Sequence, residues 1–561
     1  MRLGILDEFR LILLCLAAAS GLWAGQKPVP AATSPNSVCL ECHDQGAKLQ
    51  KSAHSQVACS SCHLKHDSYP HPENLPKPAC KTCHEQPASD YSQSEHAQQM
   101  KKGNGSAPEC STCHGNVHEL TPALSESFHK SVPETCGMCH DKEAAQFNSS
   151  VHGKAVAAGV KDAPVCTDCH GGHRILKPDN PKSTVFSSSV PDTCGRCHGD
   201  VRLMSRFGLP LDRIKSFNDS FHGLALKAGS QSVADCSSCH GFHDILPSDD
   251  PKSRTNAKNL ATTCGACHPG AGSRFVIGSI HEVEGQTAPL PLQWAQLFYA
   301  LVIPGTIGFM LLHHGGDFVV KTMRMRFQGK MVPLQMMRPP QVRHERMYKW
   351  ERIQHILLAL SFITLAYTGF ALHFPDSWWA RPTLAWEKAY PVRGTIHRTA
   401  GAVLVLTSIM HLVTLFVSRR LRDHWKEFLP VVGDLREMVE GTLWRLGMRK
   451  EKPHQSSHSY IEKIEYWALV WGTIVMAATG VLLWANNWTM TFLPKMWIDF
   501  ARSVHFFEAV LATLAIFVWH FYSVIFDPDV YPMDPCWLTG YSPRPEGGHK
   551  HPMPPVVDKN K

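Results

Sequence analysis

The 561-residue chain has no Gly-x-Gly-x-x-Gly dinucleotide fingerprint, no phosphate-binding glycine loop and no nucleophile motif. Hydride transfer to nicotinamide and nucleotide-triphosphate chemistry therefore have no support in it. Unpaired cysteine is nearly absent too: 18 of the 20 cysteines stand in Cys-x-x-Cys pairs, which leaves Cys15 and Cys536. Cys15 lacks the small neighbours of a lipoprotein box, and Cys536 reads as a structural or incidental thiol. Between about residues 26 and 290 the chain also lacks long apolar runs and is rich in Cys, His, Ser and Pro.

What the first half does contain is Cys-x-x-Cys-His, nine times over. The pairs are Cys39 and Cys42, Cys59 and Cys62, Cys80 and Cys83, Cys110 and Cys113, Cys136 and Cys139, Cys166 and Cys169, Cys194 and Cys197, Cys236 and Cys239, Cys264 and Cys267. The histidines that follow are His43, His63, His84, His114, His140, His170, His198, His240 and His268. A disulfide scaffold is indifferent to the residue after the second Cys, and a zinc ribbon takes two pairs per metal with no His at a fixed offset. Neither explains a His after every pair. The pattern is the attachment signature of c-type haem: two thioethers to one porphyrin, and a proximal imidazole for its iron.

Three segments repeat: Tyr91 onward, Phe147 onward and Phe217 onward each place Ser-x-His 14 residues before the first Cys of a site. Each is followed by a second site of the form Thr-Cys-Gly-x-Cys-His, at Cys136, Cys194 and Cys264. The unit is a haem pair in a stacked array. About 26 residues per haem is too few for an apolar core, so the porphyrins are expected to be the core. Eleven further histidines lie in this region, and nine fall into two positional classes. His54, His96, His152, His222 and His281 stand in Ser-x-His; His66, His118, His173 and His243 follow a proximal His by three or four residues. Nine for nine implies bis-histidine coordination, with His71 and His129 left over. A histidine that close to a proximal ligand is expected to reach a neighbouring haem. Closed irons without Met point to a low-potential conduit.

The N-terminus reads as a signal peptide over residues 1–25, which places a nine-haem domain, 26–285, outside the cytoplasm. Five apolar stretches follow at about 293–314, 352–374, 395–417, 464–485 and 503–526, each near the length that spans a bilayer. Segments 315–350 and 418–462 carry eight and nine Lys or Arg, against three and two in 375–394 and 486–502. The positive-inside rule puts the first two in the cytoplasm and the haem domain in the periplasm of a bacterial inner membrane. The net charge of +8 is then topological, not a sign of nucleic-acid binding. Residues 527–561 form a cytoplasmic tail rich in Pro, Gly and His, with His549 and His551. The expected fold is mostly α: a haem-packed domain with little regular structure, then a five-helix transmembrane bundle.

Histidines inside membrane helices are rare and usually functional. Five occur: His355, His397, His411, His505 and His520. His397 and His411, and likewise His505 and His520, offer ligands at two depths about 21–22 Å apart along one helix, enough for two b haems. His313 and His314 sit at the cytoplasmic boundary of the first span and read as interfacial.

RIQHILLALSFITLAYTGFALHFP (Arg352 to Pro375), RGTIHRTAGAVLVLTSIMHLV and VHFFEAVLATLAIFVWHFY resemble the ligand helices of the dihaem cytochrome b subunits of respiratory formate dehydrogenase and nickel-iron hydrogenase. Joined to nine c haems, the chain resembles the inner-membrane cytochrome bc quinol dehydrogenases of metal-reducing bacteria. The resemblance implies His355 with His520 and His397 with His505. His411, placed as in cytochrome b6, is an alternative partner for His520, and His355 is favoured. It also implies a quinol dehydrogenase that oxidises menaquinol from the quinone pool and feeds periplasmic c-type cytochromes. Two other readings are a membrane subunit delivering electrons from a periplasmic dehydrogenase to quinone, and a terminal reductase with one open haem. Homo-oligomers or further subunits are compatible with each. A pyridine haemochrome assay on pure protein is expected to return nine c haems to two b haems; any other ratio refutes the motif count.

Overall fold

The computed structural model describes residues 36–66, 68–276, 281, 288–327, 345–384, 386, 389–449, 458–528 and 530–541. The signal segment with Cys15, parts of both basic connections and the tail beyond 541 lie outside the described residues. The fold is mostly α, and no strand occurs among the described residues. The chain divides into two compact units, one ending at Lys177 and the other beginning at Pro178.

The first unit is built of short helices and loops. Buried hydrophobic side chains are few, Ala97, Val132, Ala163 and Val165 among them, so apolar burial alone gives this unit little cohesion. Local motifs supply the order. In Ser-x-His, the serine is the N-cap of a seven-residue helix: Ser94 Oγ accepts from the Ala97 N–H and Ser150 Oγ from the Gly153 N–H, both at 3.1 Å. The cap satisfies an otherwise orphaned donor and fixes the histidine at the second helical position. A Cβ on Gly153 would lie 2.1 Å from the Phe147 carbonyl oxygen, so only glycine fits this entry turn.

Cys-x-x-Cys-His is itself a short helix at Cys110–His114 and Cys166–His170. A spacing of three puts both sulfurs on one face. The glycine that follows, Gly115 or Gly171, takes φ of 83° or 82° and turns the chain off the helix. The same construction recurs in the second unit at Ser220 and Cys236–His240.

The second unit holds the long helices, labelled here α1 (Leu290–Phe327), α2 (Lys349–His373), α3 (Ala389–Val417), α4 (Tyr460–Trp484) and α5 (Lys495–Ala515). All five are long and apolar enough to cross a membrane. Beyond Ala515, α5 continues in π-helical turns over Ile516–His520 and Tyr522–Phe526. The main packed pairs are α2 with α3, α4 with α5 and α1 with α5. Residues following the last attachment site pack on the α4–α5 connection: the Lys495 N–H donates to the Phe275 carbonyl at 3.3 Å, and a Cβ on Gly270 would lie 2.0 Å from the Asn487 carbonyl oxygen.

At its far end α1 is tied in by charge. Lys321 Nζ lies 2.8 Å from Asp317 and 2.7 Å from Asp527, while Arg445 and Tyr522 also contact Asp317. His313 and His314 are buried, because α1 packs on α5 there and Trp519 fills the space beside both rings. Lys321→Met leaves two carboxylates sharing a nearly closed site, and is expected to cost roughly 3–5 kcal/mol. Thermal loss of helicity in detergent checks this; an unchanged midpoint refutes it.

Candidate electron-transfer centre

A metal–imidazole bond of about 2.0–2.1 Å puts the ring centre about 3.2 Å from the metal, so two axial imidazoles have centres about 6.3 Å apart. Seven attachment histidines meet another histidine at this spacing. In the first unit His43 faces His71 at 6.3 Å, His63 faces His118 at 6.1 Å and His84 faces His54 at 5.9 Å. There also His114 faces His173 at 6.0 Å and His140 faces His96 at 6.2 Å. In the second unit His268 faces His222 at 6.1 Å and His240 faces His281 at 6.2 Å. His170 and His198 are the remaining attachment histidines, and His152 and His243 the remaining candidates.

The positional classes do not fix a direction: His281, in Ser-x-His, faces back to His240. The Ser-x-His rings of His96 and His222 face forward to a Thr-Cys-Gly-x-Cys-His site. His118 and His173 face back to the site one module earlier. One assignment shifts: His71, left over in the sequence reading, lies opposite His43 with planes 12° apart. His66 instead meets His63 edge-on, 5.1 Å away at 81°, and its Nδ1 lies 2.9 Å from the Leu64 carbonyl. His129 Nε2 lies 3.1 Å from an Asp168 carboxylate oxygen. Burial pushes His222 and His281 down to about 4, each with a smaller push from nearby cations and the facing histidine. They are therefore neutral at physiological pH, the form that ligates metal. Cysteines of successive sites also touch, Cys136 with Cys166 and Cys194 with Cys236.

In the helical bundle His397 on α3 faces His505 on α5 at 6.4 Å, and His355 on α2 faces His520 at 6.3 Å. Thr368 Oγ1 donates to the Thr364 carbonyl at 2.6 Å, so its oxygen accepts the Nδ1–H of His397 at 2.8 Å. Thr479 donates to the Val475 carbonyl and holds His505 Nδ1 at 2.8 Å in the same way. Each ring is thereby fixed with its lone pair on Nε2, as outer hydrogen bonds fix metal-ligating imidazoles. Glu465 takes this role for His520 Nδ1 at 3.3 Å. A glycine follows each threonine, and Cβ atoms on Gly369 and Gly480 would stand 3.4 and 3.5 Å from the two rings, so no side chain presses on them there. The π turn carries His520: its smaller rotation per residue moves this ring back toward the face that bears His505.

His411, the alternative partner for His520, is engaged elsewhere. Its Nδ1 lies 3.1 Å from Gln354 and its Nε2 3.2 Å from the Tyr466 hydroxyl, with Trp425 against its edge. The residues fit b haem in a further respect. Arg352 and Arg393, about one turn before His355 and His397, each hold a buried Nε without a partner among the described residues, where a propionate carboxylate would be the complement. Thr368 and Thr479 were not singled out from the sequence, although the Thr-Gly dipeptide recurs in the second and fourth spans.

Five spanning helices with histidines facing one another across helix pairs define a multi-pass membrane protein with the architecture of a cytochrome b. Residues 346–531 match the family model described as prokaryotic cytochrome b561, which marks this region as a haem-binding, electron-transferring membrane domain. It contains α2 to α5 and leaves α1 outside. No curated protein and no solved structure matches the chain. With haem in place, His71→Ala is expected to give one high-spin ferric haem by electron paramagnetic resonance and His66→Ala none; the reverse result refutes the His43–His71 pairing.

Proposed function

We propose that the protein is a quinol dehydrogenase of the bacterial inner membrane, oxidising menaquinol through two b haems and passing electrons to nine periplasmic c haems and then to periplasmic c-type cytochromes. The observation that carries this reading lies in the second unit, where an attachment site abuts the cytochrome b bundle. His268 Nδ1 is 3.3 Å from Asn487 on the α4–α5 connection, at the end of the bundle that bears His397 and His505. Lys495 and Arg502 of α5 act electrostatically on His222, which faces His268. A route from membrane to attachment motifs thus needs no further protein.

Haem bound at these sites supplies one-electron redox chemistry. The chain does the positioning: His397, His505, His355 and His520 are ligands at two depths, and Thr368, Thr479 and Glu465 orient three of them. Arg352 and Arg393 would neutralise propionates. In the motif region His71, His54, His118, His96, His173, His222 and His281 would close seven irons against substrate, which favours conduction over catalysis. His66 is not needed for this set. The menaquinol preference rests on the low potential expected of bis-histidine haems and on the resemblance to cytochrome bc quinol dehydrogenases. Anaerobic addition of a menaquinol analogue to pure protein is expected to reduce haem b before haem c. His505→Ala should abolish both phases while dithionite still reduces haem c; if haem b in the wild type stays oxidised, the reading fails.

A further inference from the structure

We propose that Glu508 is the proton acceptor of the quinol-oxidising site, at the α1–α5 seam and at the depth of the His397–His505 pair; this rests on the reading just given. Glu508 is a carboxylate inside an apolar span, 6% exposed and one turn beyond His505. An ionisable group at such a place is costly and marks proton or substrate paths.

Its surroundings are those of a proton acceptor and not of a salt bridge. The Tyr299 hydroxyl on α1 donates to Oε2 at 2.8 Å. From α4, Gly472 faces it, where a Cβ would lie 3.3 Å from Oε1. Residues 466–484 of α4 carry no charged side chain, and between 290 and 312 the only titratable group of α1 is Tyr299. On α5 itself the ionisable neighbours are His505 and, a further turn away, Arg502. Among the described residues no ion pair includes Glu508. Its one side-chain hydrogen-bond partner among the described residues is thus a neutral hydroxyl and not a cation.

The wall beside it is aromatic. Tyr299 stacks on Phe507 with centres 5.7 Å apart at 24°, and Phe298 meets Tyr299 edge-on. Phe298 and Leu301 are exposed on the bundle surface, in a span where that surface meets lipid. A planar, lipid-soluble diol can approach there with a hydroxyl toward the carboxylate. Oxidation breaks two O–H bonds and forms two carbonyls. A b haem held by His397 and His505 would take the two electrons one at a time. One proton passes to Glu508, which discharges to the aqueous phase on the Lys495–Asp499 side before taking the second. Tyr299 comes from the helix outside the matched cytochrome b region, so α1 would complete the site.

The test uses purified holoprotein and menadiol under anaerobic stopped flow, with haem b reduction as readout. Glutamine keeps the volume and still accepts the tyrosine hydrogen bond. Glu508→Gln is expected to slow menadiol-driven reduction roughly 10²-fold and to flatten its pH dependence, with dithionite reduction and haem content unchanged. Glu508→Asp should recover most of the rate. A Glu508→Gln variant with the wild-type rate and pH profile overturns the proposal, as does one that loses haem b, which would make the role structural. If wild-type haem b is not reduced by menadiol, the quinol reading falls first and this inference with it.

Discussion

Two imidazoles that must share one iron have to face each other across about 6 Å, and most of this chain can be understood as a means of holding rings at that separation. The second unit contains four such pairs, two of them inside the helical bundle; the first unit has five among short helices that bury little apolar surface. Neither environment gives this spacing by default. Left to itself a collapsing chain brings aromatic rings into contact at 4.5–7 Å in whatever orientation suits them. Several of these rings are anchored from behind: by a serine cap for His96 and His222, by hydroxyl oxygens for His397 and His505, and by a carboxylate for His520.

Anchoring from behind also settles the chemistry. A threonine whose proton is committed to its own helix can only accept, so the imidazole that meets it must donate from Nδ1 and keep its lone pair on Nε2. Burial acts in the same direction in the motif region, where protonation of His222 and His281 is suppressed. Ligand identity, tautomer and charge state are thus consequences of helix geometry and desolvation, with no need for a dedicated polar network around each site.

Much of this was legible in the sequence. Fixed spacings mark the attachment motifs, the Ser-x-His class and the membrane histidines. Apolar length marks the five helices. Two things were not legible. His71 and His66 are five residues apart in a loop region without periodicity, so nothing local says which ring turns toward His43. His411 has the spacing of a ligand, and only the packing of Gln354 and Tyr466 against it turns it away from His520. In each case the deciding term is tertiary, while the legible features are encoded within one or two helical turns.

The backward-facing rings carry a further implication, for biosynthesis. His63 waits for His118, 55 residues later, and His114 waits for His173. With haem bound at each motif, a chain made from its N-terminus would present these early sites with one axial position open until the following module arrived. Assembly would then be ordered like overlapping tiles. A module lost by deletion would uncover its predecessor as well, so the length of the array can change cleanly only in steps that preserve both the lending ring and the site that receives it.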